Sequence, residues 1–135
     1  MKVCLIRLYQ FLKDCKIFYI LTANEKDYLG ETFGAIIELG GELYFSTSSH
    51  KDVYKKIINS PNISIVAIKR DSKDWVSISC TANPIFNLLV KQDIMCSCPQ
   101  LYKHFRSAFC KSFVVFKLNV LSVEVCEKDE LKKII

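Results

Sequence analysis

The sequence predicts a mainly β (α+β) protein, six antiparallel strands and a few short helices curled into a small barrel. Three observations carry this reading. Apolar and polar residues alternate along Ile63–Lys69 and Trp75–Ala82, the period of strands with one buried face. Gly40-Gly41 separates two apolar runs, and glycine takes the positive φ of a tight hairpin at no steric cost. Two tight antiparallel hairpins exclude a simple alternating βαβ protein, whereas a barrel, open or closed, removes exposed strand edges.

The elements follow in order. Leu5, Leu8, Tyr9 and Leu12 recur at helical spacing and predict an opening amphipathic helix over 3–14. Ile17–Thr22 is β-branched and aromatic, hence a strand. Asn24–Asp27 is a polar turn, and Thr32–Leu39 and Glu42–Thr47 form the hairpin around the glycines. Val53, Tyr54, Ile57 and Ile58 predict a helix that Ser49 caps and Ser60-Pro61 stops. The alternating strands 63–69 and 75–82 come next, joined by the polar turn 71–74. Phe86–Met95 and Pro99–Phe105 read as short helices, with Pro99 as a first helical residue. Ser112–Cys126 is a long last strand with Phe113, Val115, Leu121, Val123 and Val125 in phase. No repeat, linker or low-complexity tract interrupts 1–135, so one domain is expected, ending in a charged, solvated tail over 127–135.

Composition narrows the class. Of 135 residues, 50% are hydrophobic and 24% charged, with only four glycines and three prolines, which excludes a disordered or collagen-like chain. The +5 charge is mild and has no aromatic-and-basic stripe, so no nucleic-acid partner is expected. Lys16, Lys51, Lys55, Lys56, Lys69 and Arg70 could form a basic patch, although Lys55 and Lys56 read most simply as a solvated helix face. The mean hydropathy of +0.18 implies either a very complete core or an apolar surface hidden against a partner. No membrane span is expected: the longest apolar run, Ile17–Leu21, falls far short of the ~20 residues a bilayer needs. Arg7 and Gln10 interrupt the opening apolar stretch and no small-residue cleavage site follows, so a cytoplasmic protein is expected. Seven scattered cysteines, an odd number, fit free thiols in a reducing compartment. The one tight pair, Cys96-Ser97-Cys98, lacks the second pair a zinc site normally uses, even with His104 and Cys110 nearby in sequence.

Two stretches stand out as candidate sites. Thr47-Ser48-Ser49-His50-Lys51 lies between a strand end and a helix start, where hydroxyls, helix-start N–H groups and a lysine suit an anion or phosphate, or serve as ordinary capping. His50 adds a further donor. Thr32-Phe33-Gly34-Ala35 has small residues within a strand, which let a flat ring approach the backbone or mark a bulge. Trp75, the only tryptophan, fits a buried core or a dimer contact. There is no Gly-x-Ser-x-Gly, no Gly-rich nucleotide loop and no spaced carboxylate pair, so a hydrolase is not expected and no side chain is assigned a catalytic role.

With these residues in place, the chain resembles the pyridoxamine 5′-phosphate oxidase-like FMN-binding split barrels, in particular the small flavin-reductase-like branch with nitroimidazole-resistance proteins. The resemblance runs over residues 3–126 and rests on Phe33-Gly34 before the hairpin, Tyr44-Phe45-x-Thr47, and the Lys51-x-Val53-Tyr54-Lys55 helix start. It implies a six-stranded antiparallel split β-barrel, a homodimer with FMN in clefts at the interface, and a phosphate anchor at Thr47, Ser48, Ser49, His50 and Lys51. It also implies a ring edge along Thr32, Phe33, Gly34 and Ala35. The family's strand before the hairpin carries two arginines; Leu29 and Glu31 stand in their places here. Cys80 stands where glycine is usual. The resemblance thus implies an FMN-dependent oxidoreductase whose chemistry belongs to the flavin. The alternative is a non-catalytic ligand-binding or sensor protein on the same dimeric scaffold. The apolar faces of Trp75–Ala82 and Ser112–Val125 are expected to be shared with the second protomer.

Overall fold

The computed structural model describes residues 2–13, 15, 17–22, 35–69 and 72–133. The expected polar turn at Asn24–Asp27 and the residues Leu29, Glu31, Thr32, Phe33 and Gly34 lie outside this set. The elements are α1 (Lys2–Lys13), β1 (Ile17–Thr22), β2 (Ala35–Leu39), β3 (Glu42–Ser48), α2 (Asp52–Asn59), β4 (Asn62–Ile68) and β5 (Trp75–Ile85). They continue with α3 (Leu88–Ser97), α4 (Gln100–Phe105), β6 (Phe113–Glu127) and β7 (Glu130–Lys133).

All strand pairings are antiparallel, in the order β1-β4-β5-β6-β3-β2, with β7 added to β6. The two ends of this order approach each other. Phe18 of β1 meets Phe45 of β3 edge-on with ring centroids 6.0 Å apart, and Phe18 and Ile36 of β2 line one cavity under α1. The sheet is therefore a curled, split barrel, and α1 covers the split.

The alternation seen in the sequence builds the core. Ile63, Ile65 and Ala67 of β4 and Val76, Ile78, Cys80 and Ala82 of β5 face a cluster with Leu43, Phe45, Phe116 and Leu118. Leu8 and Leu12 of α1 and Val53 and Ile57 of α2 close it. Each fully buried large side chain contributes about 1.5–3 kcal/mol. The apolar face of β5 thus turns into its own chain, not toward a second protomer as expected; the outward face carries Ser77, Ser79 and Thr81. Trp75 is half-buried. A second cluster lies on the other face of β2, β3 and β6, where Ile94 and Met95 of α3 and Leu101 and Phe105 of α4 cover Ile37, Phe113 and Val115.

Three features correct the expectations. The last strand does not keep one phase: Phe113 and Val115 face the second cluster, Phe116, Leu118 and Val120 the first, and Leu121 is exposed. The cause is a β-bulge. Ser79 pairs with Ser122 and Cys80 with Val120, so Leu121 is an extra residue and the alternation reverses beyond it, bringing Val123 and Val125 inward. The tail is not simply solvated chain, because Glu130–Lys133 forms a seventh strand. Its hairpin turn is Lys128-Asp129, both at positive φ (51° and 66°), held by the Lys128 N–H donating to Asp74 Oδ1 at 3.0 Å. Without glycine, this turn has no strong sequence signal. Gly40 and Gly41, at 62° and 82°, make the expected turn of the β2–β3 hairpin. Finally, β5 runs on through Pro84, which is tolerated because beyond Ala82 the strand is laddered to β6 alone.

Candidate functional site

The Thr47–Lys51 stretch lies, as expected, between a strand and a helix, but its hydroxyls do not converge. Thr47 and Ser48 are consecutive residues of β3, paired with Val114 and Phe113, so they point to opposite faces of the sheet. Both are buried. The Ser48 hydroxyl accepts the His50 N–H at 3.2 Å, and the Ser48 carbonyl accepts the Lys51 N–H at 3.0 Å. The Ser49 N–H donates to the Ser112 carbonyl at 2.9 Å, tying the turn to the start of β6. Ser49 is therefore not the cap of α2. The N-cap is Lys51, in extended conformation and with no side-chain capping bond. The reason is the tight turn at Ser48–Lys51, which delays the first helical residue to Asp52.

What remains at the surface is a half-buried Ser49, exposed His50 and Lys51, and a helix start with no side-chain cap. Such a terminus presents N–H donors and a positive dipole end, and suits the phosphate of a cofactor. Asp52, exposed in the first turn, already puts one carboxylate at that end. Ala35, the last of the expected ring-edge residues, pairs with Ser46 at the edge strand.

A neighbouring group was not legible in the sequence. Cys110 Sγ lies 3.2 Å from Ser112 Oγ. The Ser112 hydroxyl and backbone hold the thiol pKa below its ordinary value, and the Lys91 ammonium adds to this. Lys91 lies 5.4 Å from the Phe113 ring centroid, and partial burial lowers its own pKa. Lys91 lies in α3 and Cys110 in the turn before β6, so no spacing signals the cluster. Cys96 Sγ lies 3.4 Å from Tyr102 Oη. Among the described residues, no group of three or more His, Cys, Asp or Glu side chains is placed to hold a metal ion, and no helix is long and apolar enough to cross a membrane.

The fold is an antiparallel split barrel of the kind seen in solved structures of the NimC/NimA and pyridoxinephosphate oxidase families. In particular, the chain is similar to a NimC/NimA family protein from Clostridium acetobutylicum, with a TM-score of 0.82 and 24% identity over 96% of this chain and 90% of that one. A second similar structure, also from C. acetobutylicum, is a protein related to general stress protein 26 of B. subtilis, of the pyridoxinephosphate oxidase family. It has a TM-score of 0.76 and 9% identity, covering 99% and 95% of the two chains. A heme-binding protein from Mycobacterium smegmatis has a TM-score of 0.68 and 16% identity, covering 91% of this chain and 54% of that one. At these identities the likeness is one of fold. The sequence matches no protein-family model and no curated protein.

Proposed function

We propose that the chain is one FMN-binding domain over 1–135, acting as a cytoplasmic homodimeric flavoprotein oxidoreductase. The observation that carries this is the helix start at Lys51–Asp52: it has no side-chain cap and lies beside exposed His50 and Lys51, on a fold shared with a pyridoxinephosphate oxidase family protein. Ser49, His50 and Lys51 would hold the flavin phosphate, with Thr47 and Ser48 shaping the turn beneath it. The edge Thr32–Ala35 would lie along the ring. Bound flavin supplies hydride or electron transfer, so the protein's part is to bind, orient and exclude water. The exposed Phe86, Leu89 and Phe109, at 84%, 72% and 74%, supply apolar surface for a second protomer.

Asp52 favours a second reading, a binding or sensor protein for a ligand other than FMN, because a carboxylate at the helix start weakens anion affinity there. One titration separates the two. Purified protein should take up FMN with a shifted absorbance spectrum, and Lys51→Ala should weaken uptake about ten-fold or more, the worth of one charge-assisted hydrogen bond. Absence of uptake, or equal uptake by Lys51→Ala, would leave only the second reading.

A further inference from the structure

We propose that the cavity between α1 and the split of the barrel binds a small monocyclic aromatic carboxylate. Its volume is about 150 Å³. That is the size of one six-membered ring: an apolar protein cavity of roughly 150 Å³ holds benzene. The walls suit a ring. Leu12 comes from α1, Phe18 from β1, Ile36 from β2 and Ala67 from β4, so four elements contribute apolar surface. The remaining lining is polar and lies on or next to α1. Lys13 lines the cavity and is exposed. Its Nζ lies 4.9 Å from the ring centroid of Tyr9, another lining residue, so the ammonium is held over the cavity wall.

Charge decides the ligand class. Among the described residues no carboxylate lines the cavity. Lys13 is a cation beside a ring-sized space with four apolar wall residues; Glu38 acts electrostatically on the Tyr9 phenol but is not among the described lining residues. An aromatic carboxylate supplies both missing parts: its ring fills the space and its anion meets the ammonium. No residue of this cavity belongs to the Thr47–Lys51 turn, and the inference does not depend on flavin binding. Because the walls span four elements, an occupant also ties α1 to the split and stabilises the native state by mass action.

The test uses the full chain, with sodium benzoate as probe and benzyl alcohol as its uncharged counterpart. Calorimetry should show saturable benzoate binding at one per chain, with a rise in melting temperature. Lys13→Gln, a change at an exposed site, should weaken benzoate about ten-fold or more and leave benzyl alcohol unchanged. Cys15, which also lines the cavity, reports location: benzoate should slow its alkylation by iodoacetamide, read by peptide mass. The proposal is overturned by any of four results: no saturable benzoate binding, equal affinity in wild type and Lys13→Gln, alcohol binding as tight as the acid, or Cys15 alkylation indifferent to benzoate.

Discussion

Ser46 is fully buried on β3, and its hydroxyl has no hydrogen-bond partner among the described residues. An unsatisfied buried polar group carries its desolvation penalty uncompensated. Ser46→Ala is therefore expected to raise stability by about 1 kcal/mol, seen as a higher urea midpoint at unchanged slope. The thiols differ for a related reason. Burial pushes the Cys80 thiol from 9.0 up to about 12, while Ser112 and Lys91 hold Cys110 below its ordinary value. Cys110 should be alkylated at neutral pH well before Cys80, and Ser112→Ala should slow it, as peptide mass spectrometry would show. The sign for Cys80 follows from its raised value. Its stabilising contribution is complete below about pH 9 and is lost as pH rises toward 12, so Cys80→Ala should flatten the fall in stability over that window. The cysteine count was legible in the sequence as free thiols; their reactivity was not, because it comes from Ser112, Lys91 and burial.

At the scale of elements, hydrophobic period located most strands and helices, and its failures have specific causes. Along β6, one phase was expected through Leu121, but the bulge makes Leu121 the extra, exposed residue. Deleting Leu121 leaves Val120 inward, Ser122 outward and Val123 inward, a plain alternation. That deletion variant is expected to fold, with its circular dichroism and melting close to wild type. Inserting one serine after Leu121 also gives plain alternation with Val123 and Val125 inward, but it slides their pairing with β5 by two residues and should lower the melting temperature. The helix starts show the same limit. Ser49 has the right chemistry for a cap but is held in a turn by Ser112, whereas Asn87 caps α3, its Oδ1 accepting the Leu89 and Val90 N–H groups.

For the whole molecule, the high mean hydropathy posed a choice between a full core and a hidden surface. The apolar face of β5 and most of that of β6 fill two clusters inside one chain, so these faces are not the shared surface. Among the described residues, the large apolar side chains most exposed to a partner are Phe86, Leu89 and Phe109. The proposed homodimer should give a hydrodynamic mass near twice 15.5 kDa. Phe86→Asp combined with Phe109→Asp should bring it to that of one chain. A wild-type mass of one chain would remove the dimer from the proposed function.

By itself the sequence determined the class of fold, the glycine hairpin, the order of strands and helices, and the strand–turn–helix position of Thr47–Lys51. These follow from local period and local turn chemistry, which neighbouring residues carry between them. Only the tertiary structure decided which hydroxyls face the same way, where the bulge reverses β6, and that Lys128-Asp129 turns back into a seventh strand. It alone also brought Lys91 near Cys110 and Lys13 beside a ring-sized cavity. Each of these depends on strand pairing and packing between residues far apart in the chain, where spacing in sequence says nothing about distance.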